Sequence, residues 1–134
     1  MLKKGIIFIS FMFIFSLAGI SAKFYRGPFH AWVRNYFVDI IAVMFLAFLI
    51  KVVSWGKINN LLCAFITLIS AVIIESSQLV KSPFLLGLRR NFFISIIIGQ
   101  SFDVWDFLYY LIGVVLAYFL LEALNSQKIL KRVN

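Results

Sequence analysis

The sequence predicts an all-α membrane protein, a compact four-helix transmembrane bundle with a re-entrant or interfacial segment between helices three and four. Apolar residues make up 63% of the 134 residues and charged residues only 13%, against about 45–50% and about 25% in a soluble domain. Four apolar runs also approach the roughly 20 residues that a helix needs to cross a bilayer. These observations exclude a soluble globular enzyme, a disordered chain and a disulfide scaffold. We expect a single transmembrane domain over residues 1–134.

The net charge of +8, from 13 Lys and Arg against 5 Asp and Glu, identifies the bilayer as the main partner. The basic residues lie between and beyond the apolar runs, where cations anchor helix ends to lipid headgroups. We therefore expect no nucleic-acid partner. The single Cys63 excludes an intramolecular disulfide and a cysteine-based metal site, and we expect it to pack in the interior.

The first two helices are predicted at about residues 5–22 and 36–54. The first also resembles a signal peptide, with a basic start, an apolar middle and small residues near Ala22, but we interpret it as a retained helix. Gly27-Pro28 predicts a turn in the polar connection, where we expect His30 to be an interfacial loop residue. Lys51, near the end of the second helix, is expected to extend toward the headgroups.

The third and fourth helices are predicted at about residues 60–80 and 104–124. Pro83 ends the third helix, since its ring and its missing N–H stop continuation. The segment 84–102 is long enough to cross, but Arg89 and Arg90 in its centre would cost several kcal/mol at mid-bilayer. We therefore predict that this segment re-enters or lies at the interface, packed on protein.

Four crossings place both termini on one side of the membrane. The side of the termini collects seven basic residues and the opposite side six. With Arg89 and Arg90 assigned to the re-entrant segment, the opposite side keeps four. The positive-inside rule then predicts that both termini are cytoplasmic.

Polar residues inside the predicted spans are the candidate site, because ionisable side chains are costly in a membrane. Asp106, Tyr110, Gly113 and Ala117 share one helix face. The two small residues allow another backbone to approach closely, so we expect this face to point into the bundle. Asp103, one turn earlier, is expected to cap the helix.

Glu75 and Gln78 share one face of the third helix, and burying both without partners would cost several kcal/mol. We expect them to meet Arg89, the Asp106–Tyr110 face, water or a ligand. A Glu75–Arg89 pair would be the simplest structural explanation. The candidate ligand-binding residues are Asp39, Glu75, Gln78, Arg89, Asp106 and Tyr110. Glu122 is expected to be a solvated helix end.

Motifs for an enzyme are absent from the sequence. There is no Ser–His pair, no Gly-rich phosphate loop, no HExxH and no GxSxG, and the acidic residues lie on three different helices. We therefore assign no catalytic residue, expect no metal and no cofactor, and favour a protein that is not an enzyme.

The same polar pattern resembles a small bacterial membrane family, the domain-of-unknown-function family numbered 2809, which is similar to the VanZ-like proteins. The matching positions are Tyr36…Asp39, Glu75…Gln78, Pro83, Leu88-Arg89 and Phe102…Asp106…Tyr110…Gly113. The resemblance covers about residues 5–121. It implies an integral protein of the bacterial cytoplasmic membrane and no particular reaction. The association of VanZ-like proteins with teicoplanin resistance points toward the cell envelope.

Three functions agree with these observations. In the first, the inward polar cluster binds a polar lipid headgroup or a lipid-linked amphiphile of the envelope. In the second, the protein is a small proton-coupled transporter or a homodimeric channel, because buried carboxylates can relay protons. The third is a lipid-modifying membrane enzyme that uses the acids as general acid and base. A purely structural role for the cluster is the remaining alternative.

Overall fold

The computed structural model of the chain describes residues 2–79, 82–91, 94 and 103–133. Its elements are α1 (Leu2–Lys23), α2 (His30–Trp32), a π-helical segment (Val33–Phe37), α3 (Val38–Val53), α4 (Asn60–Leu79), α5 (Pro83–Arg89) and α6 (Val104–Val133). The α2 helix, the π-helical segment and α3 form one continuous helix.

In the described part of the chain, four helices are long and apolar enough to cross a membrane, which confirms the predicted all-α transmembrane bundle. Their apolar stretches are Lys3–Lys23, His30–Val53, Asn60–Ser77 and Val104–Ser126. Because the helices alternate in direction, the ends of α1 and α4 lie at the same end of the bundle as the starts of α2 and α6.

Helix α3 is the centre of the bundle, since it packs against α1, α4 and α6, while α4 also packs against α6. Phe48 of α3 is fully buried and anchors α1 through aromatic contacts. The ring of Phe8 meets it edge-on at 5.8 Å and that of Phe15 at 5.4 Å. Lipid tails are as apolar as these side chains, so close van der Waals packing stabilises this contact.

A close approach of two backbones joins α6 to α3 at Gly113. A Cβ atom at this position would lie 2.9 Å from the carbonyl oxygen of Ile40 and 3.2 Å from Cβ of Val43. Ala117, one turn later, is also buried. The prediction that the Gly113–Ala117 face points into the bundle is therefore confirmed.

The second membrane helix begins at His30, six residues before the predicted start at Tyr36. The prediction that His30 lies in a loop was therefore wrong. Phe29 adopts a left-handed conformation with φ of 56°, which reverses the chain directly after Gly27-Pro28. The helix can then start at once at His30.

The sequence suggested that Lys51 extends to the headgroups, but in the structure this side chain is buried. Its Nζ atom donates a hydrogen bond to the carbonyl oxygen of Ile58 at 2.6 Å. The turn after α3 folds back over the lysine, because Trp55 and Gly56 take φ values of 54° and 69°. The carbonyl oxygen of Ile58, rather than solvent, therefore accepts the hydrogen bond of the Lys51 ammonium group.

The same end of the bundle contains a second polar contact between helices. Nδ2 of Asn60 donates to Oε1 of Glu122 at 2.9 Å, so Glu122 is half-buried and bonded, unlike the solvated helix end that we expected. Cys63 is fully buried, as predicted, and its thiol donates to the carbonyl oxygen of Ala47 at 3.4 Å.

The segment between α4 and α6 is described only in part. Helix α4 ends at Leu79, and Pro83 is the first residue of α5, a position that suits proline because the first helical N–H has no partner in any case. Most of residues 92–102 lie outside the described residues. The predicted re-entrant or interfacial course of 84–102 therefore stays a prediction.

We expect Gly113→Ala to destabilise the bundle by about 1–3 kcal/mol, because the added methyl group meets the backbone of α3. Thermal unfolding in detergent measures this loss. Gly5→Ala is the control, since a Cβ at Gly5 meets nothing within 4 Å. Equal melting temperatures for the two variants would contradict the close α3–α6 contact.

Candidate functional site

Three carboxyl groups from three helices converge near one end of the bundle, and we call them the carboxyl cluster. Asp39 comes from α3, Glu75 from α4 and Asp106 from α6. The side chain of Asp106 lies within hydrogen-bonding reach of both Asp39 and Glu75. Glu75 has an exposed fraction of 0%, whereas Asp39 and Asp106 are half-buried. The cluster is thus inaccessible from the protein surface at Glu75 and partly accessible at the two aspartates.

Tyr110 holds Glu75 in place within this cluster. Its hydroxyl donates a hydrogen bond to Oε2 of Glu75 at 2.5 Å. The tyrosine ring is buried, and Phe107 packs edge-on to it at 6.4 Å. The expectation that Glu75 meets the Asp106–Tyr110 face is confirmed, since Asp106 and Tyr110 lie one turn apart on α6 and both contact the glutamate.

The close approach of α3 and α6 explains why such short side chains can meet. Asp39 immediately precedes Ile40, whose backbone lies against Gly113. Asp106 lies two turns before Gly113 on the same face of α6. An aspartate carboxyl reaches only a short distance from its backbone, so a wider helix separation would keep Asp39 and Asp106 apart.

The three members of the carboxyl cluster carry charges of one sign. Asp103 adds a fourth carboxyl group that interacts electrostatically with Asp106. Among the described residues, Lys23 at the end of α1 is the cation that interacts with Asp39. Ionised carboxylates this close repel one another, and two carboxyl groups hydrogen-bond only when one carries a proton. The cluster can therefore hold a proton or receive groups that donate hydrogen bonds.

An aromatic cluster of Trp32, Tyr36 and Tyr109, which the sequence did not predict, lies at the same end. The rings of Tyr36 and Tyr109 stack at 4.4 Å, and Nε1 of Trp32 donates to the hydroxyl of Tyr109 at 3.0 Å. The hydroxyl of Tyr36 donates to Oδ2 of Asp103 at 3.3 Å. This cluster fastens the start of the second membrane helix to the start of α6.

One signal in the sequence and one in the backbone point to the aromatic cluster in retrospect. Trp32 and Tyr36 are one turn apart and lie on the side of the helix that continues to Asp39. Tyr36 also lies within the π-helical segment, a form that recurs at functional sites.

The predicted cap at the start of α6 is confirmed, because the backbone N–H of Trp105 donates to Oδ1 of Asp103 at 3.1 Å.

The side chains of the two remaining predicted site residues, Gln78 and Arg89, lie outside the described residues. Their helices are described: Gln78 lies one turn after Glu75 in α4, and Arg89 is the last residue of α5. The predicted Glu75–Arg89 pair therefore stays a prediction. Within the described ranges, no three His, Cys, Asp or Glu side chains are arranged to hold a metal ion.

We expect Tyr110→Phe to reduce the free energy of unfolding by about 1–3 kcal/mol, because a buried carboxyl loses a hydrogen-bond donor. A double-mutant cycle with Glu75→Gln in detergent isolates this interaction. Tyr118→Phe on the same helix is the matched control, since the hydroxyl of Tyr118 makes no hydrogen bond to the described part of the chain. Similar losses in both tyrosine variants would contradict the assignment.

Comparison with known proteins places this architecture in a family. No curated protein and no solved structure matches the chain. The family described as "Protein of unknown function (DUF2809)" matches residues 29–114, a range that contains the carboxyl cluster, the aromatic cluster and the α3–α6 contact. The match covers more than half of the sequence, and the chain therefore belongs to the DUF2809 family.

Proposed function

We propose that this membrane protein binds the polar headgroup of a lipid or of another envelope amphiphile at the carboxyl cluster. The observation that carries the proposal is the convergence of Asp39, Glu75 and Asp106 from three helices. Their oxygens can accept hydrogen bonds from amine or hydroxyl groups. Ionised carboxyl groups are acceptors only, and a headgroup with such groups would supply the hydrogen-bond donors.

The composition of the cluster supports a ligand site over a purely structural contact. Contacts that only stabilise a bundle pair a donor with an acceptor, as Asn60 and Glu122 do at the opposite end. Three carboxyl groups placed together offer acceptors in excess and repel when ionised. Such an arrangement costs stability, and sites that cost stability are typical of function.

The depth of the cluster suits a headgroup. Asp106 lies two residues after the start of α6, and Glu75 lies four residues before the end of α4. At about 1.5 Å per residue, both positions are within about 6 Å of a helix end. A lipid could thus place its polar group at Asp39 and Asp106 while its chains stay in the surrounding bilayer.

Gln78 and Arg89 complete the proposed site. In this proposal the amide of Gln78 bonds hydroxyl groups of the ligand. The guanidinium of Arg89 pairs with an anionic group, either on the ligand or on Glu75, and guanidinium groups bind carboxylate and phosphate well. The residues of the site are then Asp39, Glu75, Gln78, Arg89, Asp106 and Tyr110.

The proposal includes a cellular location. The four apolar helices support a membrane protein, and we assign it to the bacterial cytoplasmic membrane with both termini in the cytoplasm. The carboxyl cluster, at the end of the bundle away from the N-terminus, would then face the cell envelope. This is the side on which an envelope amphiphile would be found.

Native mass spectrometry from a mild detergent tests the proposed binding. We expect the wild type to retain a discrete lipid or lipid-linked mass, and Asp39→Asn, Asp106→Asn and Arg89→Ala to retain less of it. Removing one of the half-buried like charges should also raise the melting temperature of the ligand-free protein in the two aspartate variants.

Glu122→Gln is the matched control, because Glu122 is a half-buried carboxyl at the other end of the bundle. It should retain the ligand like the wild type. If no mass is retained by any variant, and the aspartate variants melt earlier than the wild type, the cluster only stabilises the bundle and the proposal is wrong.

Proton-coupled transport is a second candidate, favoured by the hydrogen-bonding reach between Asp106 and its two carboxyl neighbours. A proton shared by such a group can move along it, and buried carboxylates serve as proton relays. Four helices per chain are few for a transport path, so this function would require a homodimer. We expect the wild type to take up protons into proteoliposomes. Glu75→Gln should abolish this uptake, and Glu122→Gln should leave it intact. No uptake by the wild type with any envelope substrate would exclude this candidate.

A further inference from the structure

A basic cleft lies beside the carboxyl cluster, where α1 ends and the next membrane helix begins. It has a volume of about 300 Å³ and is lined by Lys23, His30, Ala31, Arg34 and Asn35. Lys23 is half-buried, and the other four residues are exposed. The cleft is therefore open at the surface of the bundle.

The chemistry of the lining side chains suits an anion. Lys23 and Arg34 contribute two positive charges, and none of the described lining side chains is acidic. Arginine binds phosphate oxygens with two parallel N–H groups, whereas lysine acts as a point charge. His30 and Asn35 add further N–H donors. A group with several anionic oxygens, such as phosphate, can use all four polar side chains.

The position of the cleft indicates that this phosphate belongs to a lipid. Lys23 is the last residue of one apolar helix, and His30 is the first residue of the next. The cleft therefore lies at the level of the headgroups. Phe24, Phe29 and Trp32 are exposed around it, with 83% of Phe29 accessible, and aromatic side chains are enriched at this depth. Basic pockets between membrane helices bind phosphorylated headgroups.

The basic cleft and the carboxyl cluster are neighbours. Lys23 lines the cleft and also interacts electrostatically with Asp39. Asn35, on the cleft wall, lies one turn before Asp39 on the same helix, about 6 Å along the helix axis. One headgroup can therefore place its anionic part in the cleft and its hydrogen-bond donors at the carboxyl cluster.

We propose that the basic cleft binds the phosphate of a phospholipid headgroup whose amine reaches the carboxyl cluster. The amine end of this inference rests on the function proposed above. The phosphate end rests on the cleft alone. The ligand class is thus a zwitterionic aminophospholipid, with the phosphate and the amine recognised by separate groups of residues.

Native mass spectrometry of the full chain in detergent tests this inference with three added lipids. Phosphatidylethanolamine carries phosphate and amine, phosphatidylglycerol carries phosphate without amine, and diacylglycerol carries neither. We expect retention to decrease in that order. The double variant Lys23→Gln/Arg34→Gln should lower retention of both phospholipids about tenfold or more, since it removes two charged partners of the phosphate.

The control is Arg26→Gln/Lys57→Gln, which removes the same charge from two exposed positions outside the cleft. It should retain both phospholipids like the wild type, and circular dichroism should show equal helicity in all variants. Asp39→Asn should keep both phospholipids but lose the preference for phosphatidylethanolamine, because the cleft is intact and the amine site is not.

These outcomes separate the two proposals. If the cleft variant retains both phospholipids like its control, the phosphate site is wrong, whatever Asp39→Asn shows. If Asp39→Asn keeps the wild-type preference while the cleft variant fails to bind, the amine site is wrong and the phosphate site stands. Inorganic phosphate is the last arm: if it alone raises the melting temperature of the wild type and not of the cleft variant, while no phospholipid is retained, the occupant is free phosphate and the lipid assignment is overturned.

Discussion

The close contact between α3 and α6 is the constraint on which the rest of the bundle depends. In a bilayer, burial of apolar side chains offers little gain, because lipid solvates them as well as protein does. Helices associate where their surfaces fit closely, and Gly113 permits contact with the backbone of Ile40. The same contact brings Asp39 and Asp106 within reach of each other. Stability of the bundle and assembly of the site thus have one origin.

The two ends of the bundle treat their polar groups differently. At the end that holds Lys51, Asn60 and Glu122, described donors meet acceptors: Lys51 bonds the carbonyl of Ile58, and Asn60 bonds Glu122. Such pairs lower the cost of polar atoms in an apolar interior. At the opposite end, acceptors gather around Asp106. This asymmetry separates polar residues that stabilise the fold from those that we assign to function.

Aromatic and basic residues surround the carboxyl cluster. Tyr36 bonds Asp103 and stacks on Tyr109, so the start of the second membrane helix is fastened to the start of α6. The basic cleft lies at the same helix start, and Lys23 both lines the cleft and interacts electrostatically with Asp39. The start of the second membrane helix therefore carries both a cationic group of the cleft, Arg34, and a member of the carboxyl cluster, Asp39. The separation of positive from negative groups suits a ligand that itself carries both signs.

The sequence by itself determined the helical class, the four apolar helices, the inward face of Gly113 and Ala117, the Asp103 cap and the polar positions of the candidate site. These features are local, since they depend on composition and on helical spacing along one segment. Only the tertiary structure decided that Lys51 is buried, that Glu122 bonds Asn60, that the second helix begins at His30 and that Trp32 meets Tyr109. Each of these depends on which backbone or side chain from a distant segment arrives at that place, and helical spacing within one segment carries no information about that.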